Sequence, residues 1–130
     1  MPYRNPGLPL LFVVALAGCA AEADRTPRID APAAEIVGEP VSCIQTGRID
    51  NTRVHDDYTI DFEMLGGDIY RNTLPNGCPQ LGFDRRFAYE LTTNRLCSND
   101  TITVLQSGGG RGVTCGLGEF VPIRYADTEG

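Results

Sequence analysis

The chain has 130 residues, enough for one domain, and its hydrophobic content of 42% argues against wholesale disorder. Acidic residues outnumber arginine and lysine by 17 to 11, and the sequence contains no lysine. A formal charge of −6 repels phosphate backbones unless the arginines share one face, so we expect no nucleic-acid partner. The missing lysine also excludes a Walker-type phosphate loop and a Schiff-base nucleophile.

The first 18 residues have the layout of a secretory signal peptide. Arg4 makes the start weakly positive, and residues 8–17 are almost wholly apolar. Ten helical residues cover about 15 Å, half of the ~30 Å hydrocarbon core of a bilayer, so this run is too short to span a membrane. We therefore predict a signal peptide at residues 1–18.

The end of this run resembles the bacterial lipoprotein signal, in which an aliphatic residue and two small residues precede a cysteine that becomes lipidated. Leu16, Ala17, Gly18 and Cys19 match that pattern. The resemblance implies cleavage before Cys19 and acyl chains that anchor the mature protein to a membrane, facing the periplasm. Lipoproteins kept in the inner membrane often have aspartate in the next position, so Ala20 implies the outer membrane.

Two other interpretations of the N-terminus are open. The signal-peptidase pattern A-x-A fits residues 15–17 or 21–23 and would release a soluble protein. A buried core segment is the other, although its place at the extreme N-terminus argues against it. The cysteine count supports the lipoprotein, because lipidation of Cys19 leaves an even number for an oxidising compartment. The four remaining cysteines are Cys43, Cys78, Cys97 and Cys115.

Residues 19–40 are predicted to form a flexible tether that begins at the lipidated cysteine. Pro27, Pro32 and Pro40 interrupt any helix, and apolar periodicity is lacking. A short first strand at residues 35–37 is the alternative for the end of this segment.

Residues 41–125 have the pattern of a β domain, followed by a C-terminal tail at 126–130. Apolar and polar residues alternate, turn residues separate the runs, and no helical stripe of convincing length is present. We predict an all-β fold, a small barrel or sandwich of five to seven short antiparallel strands with two disulfides. The expected extended segments are 41–49, 53–54, 59–65, 68–74, 86–92, 101–106 and 118–125.

The clearest hairpin follows the alternating run at residues 59–65. Ile60, Phe62 and Met64 face one way in this pattern, and the polar residues between them face the other. A three-residue loop at 66–68 would oppose Met64 to Tyr70 and keep apolar side chains on one face, so it is preferred to a two-residue loop.

Two disulfides would stabilise a core of only about 85 residues, each by roughly 2–4 kcal/mol. Four cysteines allow three pairings. We favour Cys43–Cys115 with Cys78–Cys97, because the first and last strands of a closed barrel adjoin. A metal site made of the four thiolates is disfavoured, since the C-x-x-C spacing is missing.

His55 is the single histidine and the first candidate for chemistry. With Asp56 or Asp57 as an orienting carboxylate it could act as the base of a small hydrolase, although no nucleophile is placed beside it. Asp61 and Glu63 share a strand face about 7 Å apart, a separation found in inverting glycosidases. In both cases a solvated polar loop or strand face gives the same pattern.

Two further groups of polar residues were considered as ligand contacts. Four aspartates could collect a hard cation, but they miss the calcium-loop spacing. They are Asp56, Asp57, Asp61 and Asp68. Residues 108–112 are predicted to form a flexible glycine-rich hairpin loop and match no phosphate-loop pattern. Arg111 in that loop, with Arg85 and Arg86, could contact an anionic group.

The segment 43–123 resembles a proteobacterial domain-of-unknown-function family of small exported proteins with linked cysteines. The motifs that carry the resemblance are CI at 43–44, TRVHDDYTIDFEM at 52–64, GGDIYRNTLPNGCPQL at 66–81, RFAYE at 86–90, LCSNDTITVL at 96–105 and CGLGEFVPI at 115–123. The resemblance implies export and disulfides, and it brings no activity or catalytic residue.

These observations together predict a membrane-anchored envelope lipoprotein with a non-catalytic binding or structural β domain. Its ligand would be an envelope protein or a cell-wall fragment, and we expect no cofactor, catalytic residue or metal. The candidate ligand contacts are His55, Asp56, Asp57, Arg85, Arg86 and Arg111. The alternatives are the His55 hydrolase and a cation-binding module.

Overall fold

The computed structural model describes residues 28–126, together with residue 7, so the predicted signal peptide, Cys19 and residues 127–130 lie outside the described residues. Segment 28–126 contains ten strands, the helix α1 (Leu81–Asp84) and a 3-10 turn (Thr46–Arg48). Within it, no helix is long and apolar enough to cross a membrane. The strands are β1 (Ala34–Ile36), β2 (Cys43–Gln45), β3 (Ile49–Val54), β4 (Thr59–Met64), β5 (Ile69–Thr73), β6 (Phe87–Ala88), β7 (Arg95–Cys97), β8 (Thr101–Leu105), β9 (Arg111–Gly116) and β10 (Phe120–Tyr125).

The strands form three antiparallel sheets. The largest has the order β1-β10-β5-β4-β3, a second pairs β2 with β7, and the third has the order β6-β8-β9. None of these sheets closes into a barrel, so the all-β fold is confirmed in its sandwich-like form. The strand number is higher than expected for two reasons. β1 and β7 have three residues each, too short to show alternation, and β9 begins at Arg111, within the predicted glycine-rich loop.

The core lies between the five-stranded sheet and the two smaller ones. The ring of Phe62 packs edge-on against Phe120 of its own sheet, at 5.4 Å between centroids, and against Phe87 of the third sheet, at 6.3 Å. Ile60, Phe62 and Met64 are all buried, which confirms the predicted apolar face of β4.

The β4–β5 hairpin has a register two residues away from the predicted one. Tyr70 lies opposite Phe62 rather than Met64, and the turn residues are 65–67 rather than 66–68. Gly66 and Gly67 have φ of +98° and +100°, conformations that favour glycine, so the turn closes one residue earlier than expected. A shift of two residues keeps each side chain on its predicted face and changes only its partner.

The folded domain begins before residue 41. It includes β1, which the prediction assigned to the tether at 19–40. β1 pairs with β10, and the amide of Val37 donates to the carbonyl of Pro122 at 2.9 Å. The alternative of a short first strand near residues 35–37 is therefore confirmed, one residue earlier. Before β1, the backbone amides of Asp30 and Ala31 also donate to the side chain of Asp56.

The four cysteines form two disulfides as predicted, but the favoured pairing was wrong. The bonds are Cys43–Cys97 and Cys78–Cys115. Cys43 and Cys97 are direct cross-strand partners of β2 and β7, while Cys78 joins the loop before α1 to β9. The prediction relied on a closed barrel, and in the open sheets β2 pairs with β7 instead of with a late strand.

Candidate binding site

A buried carboxylate, Asp61, is the centre of the polar structure on the second face of the large sheet. Its side chain is fully buried, although the sequence placed it on the outward face of β4. Arg71 lies directly opposite on β5, donating from Nε to Oδ1 at 2.9 Å and from Nη2 to Oδ2 at 3.0 Å. This two-bond arrangement is the strongest form of the arginine–carboxylate pair.

Two more side chains donate to the same carboxylate from other strands. His55 follows β3 and places Nε2 at 2.8 Å from Oδ2, and the hydroxyl of Tyr125 on β10 donates to Oδ2 at 2.7 Å. We call these four residues the Asp61 cluster: Asp61, Arg71, His55 and Tyr125. The carboxylate accepts four hydrogen bonds, from side chains on two strands and one loop, so its capacity as an acceptor is nearly filled.

The environment determines the charge of the cluster. Burial alone would raise the pKa of Asp61, but hydrogen bonds from Arg71, Tyr125 and His55 outweigh it, and this pKa lies below its usual value. The bond to Asp61 raises the pKa of Arg71 against the effect of burial. Burial and the same carboxylate raise the pKa of Tyr125 to about 12. Asp61 is therefore ionised and Tyr125 neutral at physiological pH.

The carboxylates that were expected to orient His55 have other partners. Asp56 accepts from the amides of Asp30 and Ala31 at 2.9 and 3.2 Å and from the amide of Tyr58 at 2.7 Å. Asp57 accepts from the amide of Gly82 at 2.7 Å. The pairing of His55 with Asp56 or Asp57 was therefore wrong, because the local carboxylates satisfy backbone amides and the histidine turns to Asp61.

Two shallow pockets border His55 from either side. One, of about 170 Å³, is lined by Arg28, Asp30, His55, Asp56, Asp57, Gly82 and Arg85. The other, of about 410 Å³, is lined by Asn51, Arg53, Val54, His55 and Arg85. His55 and Arg85 belong to both, and we call the surface of these two pockets the His55 face.

Arg85 is held at the edge of this surface in an unusual backbone conformation. It follows α1 with φ of +55°, in the left-handed region that non-glycine residues rarely occupy. Its Nε donates to the carbonyl of Gly82 at 3.2 Å. Within residues 28–126 its guanidinium makes no ion pair with a carboxylate, and strain of this kind is often retained where a side chain must be aimed.

The other predicted contacts are distributed elsewhere. Arg111 lines a separate pocket beside Tyr89 and lies 3.4 Å from Glu90, so it does not join His55 and Arg85. Arg86 follows Arg85 directly and is exposed, with its carbonyl bound to β8. Glu63 is ion-paired with Arg53 at 2.7 Å, so it does not form an open pair with Asp61.

The four aspartates proposed as cation ligands do not converge. Asp61 is saturated within its cluster, Asp56 and Asp57 bind backbone amides, and Asp68 lines a different pocket. Among the described residues, no group of three or more His, Cys, Asp or Glu side chains is arranged to hold a metal ion.

Sequence reasoning missed Arg71 and Tyr125. The correct hairpin register would have placed Arg71 opposite Asp61, and a charged pair on neighbouring strands is a usable signal. Tyr125 is 64 residues from Asp61 in the chain, and no local pattern connects the two.

Comparisons with protein-family models, with curated proteins and with solved structures find no match to this chain.

Replacing Asp61 by Asn should lower the free energy of unfolding by about 3–5 kcal/mol, because it leaves the largely buried Arg71 charge without its partner. Urea unfolding followed by far-ultraviolet circular dichroism measures the change. Glu63→Gln on the same strand is the matched control. Its partner Arg53 is largely exposed, so about 0–1 kcal/mol is expected. Equal losses in the two variants would contradict the central role of Asp61.

Stability should decline at both ends of the pH scale. The folded-state pKa of Asp61 is depressed, so its contribution is present above the unfolded value near 3.8 and is lost as the pH falls through the folded value. The pKa of Tyr125 is raised from 10.0 to about 12, so its contribution is present below pH 10 and is lost as the pH rises toward 12.

Unfolding midpoints in urea between pH 7 and pH 11.5 test the alkaline limb, with Tyr125→Phe as the comparison. The variant should be less stable at pH 7 and should lose less further stability above pH 10 than the wild type. Parallel declines in the two proteins would show that Tyr125 does not cause the alkaline loss.

Proposed function

We propose that this protein is an exported envelope lipoprotein whose β domain binds a ligand and catalyses no reaction. The anchor is the acylated Cys19, on the periplasmic side of the outer membrane in preference to the inner one. The ligand is an envelope protein or a cell-wall component. Two disulfides support export, because such bonds persist in oxidising compartments. The likeness to a family of small exported proteins stays a prediction.

One observation carries the non-catalytic part of the proposal. The carboxylates next to the single histidine are occupied by donors from the protein itself, four to Asp61 and three to Asp56. A carboxylate whose lone pairs are filled in this way stabilises the fold and has little capacity to act as the general base itself. The larger pocket beside His55 is bordered instead by Arg53 and Arg85, and arginines bind anions and remain charged.

Only a short segment separates the proposed lipid anchor at Cys19 from the binding surface. Nine peptide units separate Cys19 from Arg28, which lines the smaller pocket of the His55 face. Nine extended residues reach at most about 30 Å. A domain held by such a segment works close to the membrane surface, which favours membrane-proximal ligands.

A small hydrolase is the second candidate, and one distance favours it. His55 Nε2 lies 2.8 Å from the oxygen of a buried carboxylate, as in a base with an orienting partner. That partner is Asp61 rather than Asp56 or Asp57. Among the described residues, the side chain of His55 makes no hydrogen bond to a hydroxyl or thiol that could serve as a nucleophile.

The anchor can be tested by the intact mass of the native protein extracted from membranes, measured with and without reduction under alkylating conditions. The expected species begins at Cys19, carries acyl mass, and gains four alkylated thiols only after reduction. Disulfide mapping of the same sample should yield Cys43–Cys97 and Cys78–Cys115. An unacylated chain beginning elsewhere would remove the lipoprotein from the proposal.

The choice between binding and hydrolysis can be tested with chromogenic esters, phosphate esters and glycosides. Wild-type protein should show no turnover above the buffer rate, and His55→Ala should be indistinguishable from it. Folding of the variant is checked by circular dichroism, since His55 contributes to the Asp61 cluster. If the wild type turns over a substrate and a folded His55→Ala variant does not, the protein is a hydrolase and the binding proposal is wrong.

A further inference from the structure

We infer that the larger pocket of the His55 face is a binding site for a phosphate group, presented by a membrane phospholipid or free in solution. The inference deepens the binding function proposed above and rests on it. It assigns the ligand class from the charge, geometry and surroundings of this one surface.

The larger pocket of the His55 face has a charge opposite to that of the protein. The chain carries a formal charge of −6, yet this pocket is lined by two arginines, a histidine, an asparagine and a valine, with no carboxylate among them. A concave surface with this lining attracts anions, and the charge of the rest of the chain repels them from other places. Arg53 is paired with Glu63, so the positive charge of Arg85 is the one that points to an anionic ligand.

Arg85 is the side chain best prepared to bind that anion. Its Nε is fixed by the carbonyl of Gly82, whose own amide is fixed by Asp57. The terminal nitrogens make no ion pair with a carboxylate within residues 28–126. An arginine positioned by its backbone and one nitrogen loses less conformational entropy on binding than a freely rotating one.

The number of side chains in the pocket that can bind an anion favours a phosphate over a carboxylate as the ligand. Arg85 and Arg53 lie on the same pocket as His55, and each arginine has nitrogens beyond the one already bound. Nε2 of His55 is bound to Asp61, so Nδ1 is the nitrogen left for a ligand, and it is a donor to a phosphate oxygen in the imidazolium form of the ring. One guanidinium fork satisfies a planar carboxylate, whereas a tetrahedral phosphate has oxygens for three partners.

Two exposed apolar side chains next to the site indicate a lipid as the source of the phosphate. Phe83 is 80% exposed and follows Gly82, and Ile29 is 55% exposed and lies between Arg28 and Asp30, which line the smaller pocket. Arg86 is exposed beside Arg85. Aromatic and aliphatic side chains next to arginines suit the boundary between lipid headgroups and acyl chains.

The single histidine provides a direct reporter. The native lipoprotein in a non-ionic detergent is titrated with inorganic phosphate at constant ionic strength, and the His55 ring resonances are followed by nuclear magnetic resonance. Saturable shifts are expected with phosphate and not with acetate. Arg85→Gln should weaken phosphate binding by about tenfold or more, the loss of one charged hydrogen bond or more.

The control is Arg111→Gln, which removes an arginine from a separate pocket and should leave phosphate binding unchanged. Glutamine is a suitable replacement for Arg85, whose φ is positive, because Gln80 adopts a positive φ at the other end of α1. The absence of saturable shifts, equal shifts with acetate, or equal effects of the two variants would overturn the phosphate site.

The source of the phosphate is identified by comparing the His55 resonances of the protein in phosphatidylglycerol nanodiscs with those in detergent. If the phosphate belongs to a lipid, His55 should shift in the nanodisc and Phe83→Ala should reduce that shift, while inorganic phosphate still binds the variant. Binding of inorganic phosphate without a nanodisc shift assigns the soluble source.

Failure of the site and failure of the binding function give different results. Shifts with acetate equal to those with phosphate would remove the phosphate and leave an anion-binding module. Hydrolysis of a phosphate ester that depends on His55 would keep the phosphate site and remove the non-catalytic function.

Discussion

The fold of this protein depends on how one buried charge is compensated. The carboxylate of Asp61 has no contact with solvent, and removing such a group from water costs several kcal/mol unless its partners are well placed. Those partners come from β5, from the loop after β3 and from β10. A slip of any of these strands by one residue would turn a donor to the other face, so the cluster selects the register of four neighbouring strands.

The predictable part of the fold is the part that alternation describes. The apolar face of β4 was evident, because Ile60, Phe62 and Met64 recur with the period of a strand and pack into the core. Alternation does not say what covers the opposite face, and so Asp61 was expected to be exposed. The disulfide partners also depend on strand order, which local sequence does not contain.

The candidate site was predictable in its residue types and not in its grouping. His55 and Arg85 were recognised, but the pocket that they share was not, and Arg111 belongs to another pocket. The acidic neighbours of the histidine proved to be structural, since Asp56 holds residues 30 and 31 and Asp57 holds the start of α1. These two aspartates line the smaller pocket together with Arg28 and Arg85.

β1 covers an edge of the large sheet that would otherwise be open. Without residues 34–37, the backbone of β10 from Pro122 to Tyr125 would present unpaired amides and carbonyls. Such an edge is a template for pairing with another chain, and proteins usually block it with a short strand or a charge. β1 therefore also protects the domain against self-association, and a protease that removed it would leave an aggregation-prone molecule.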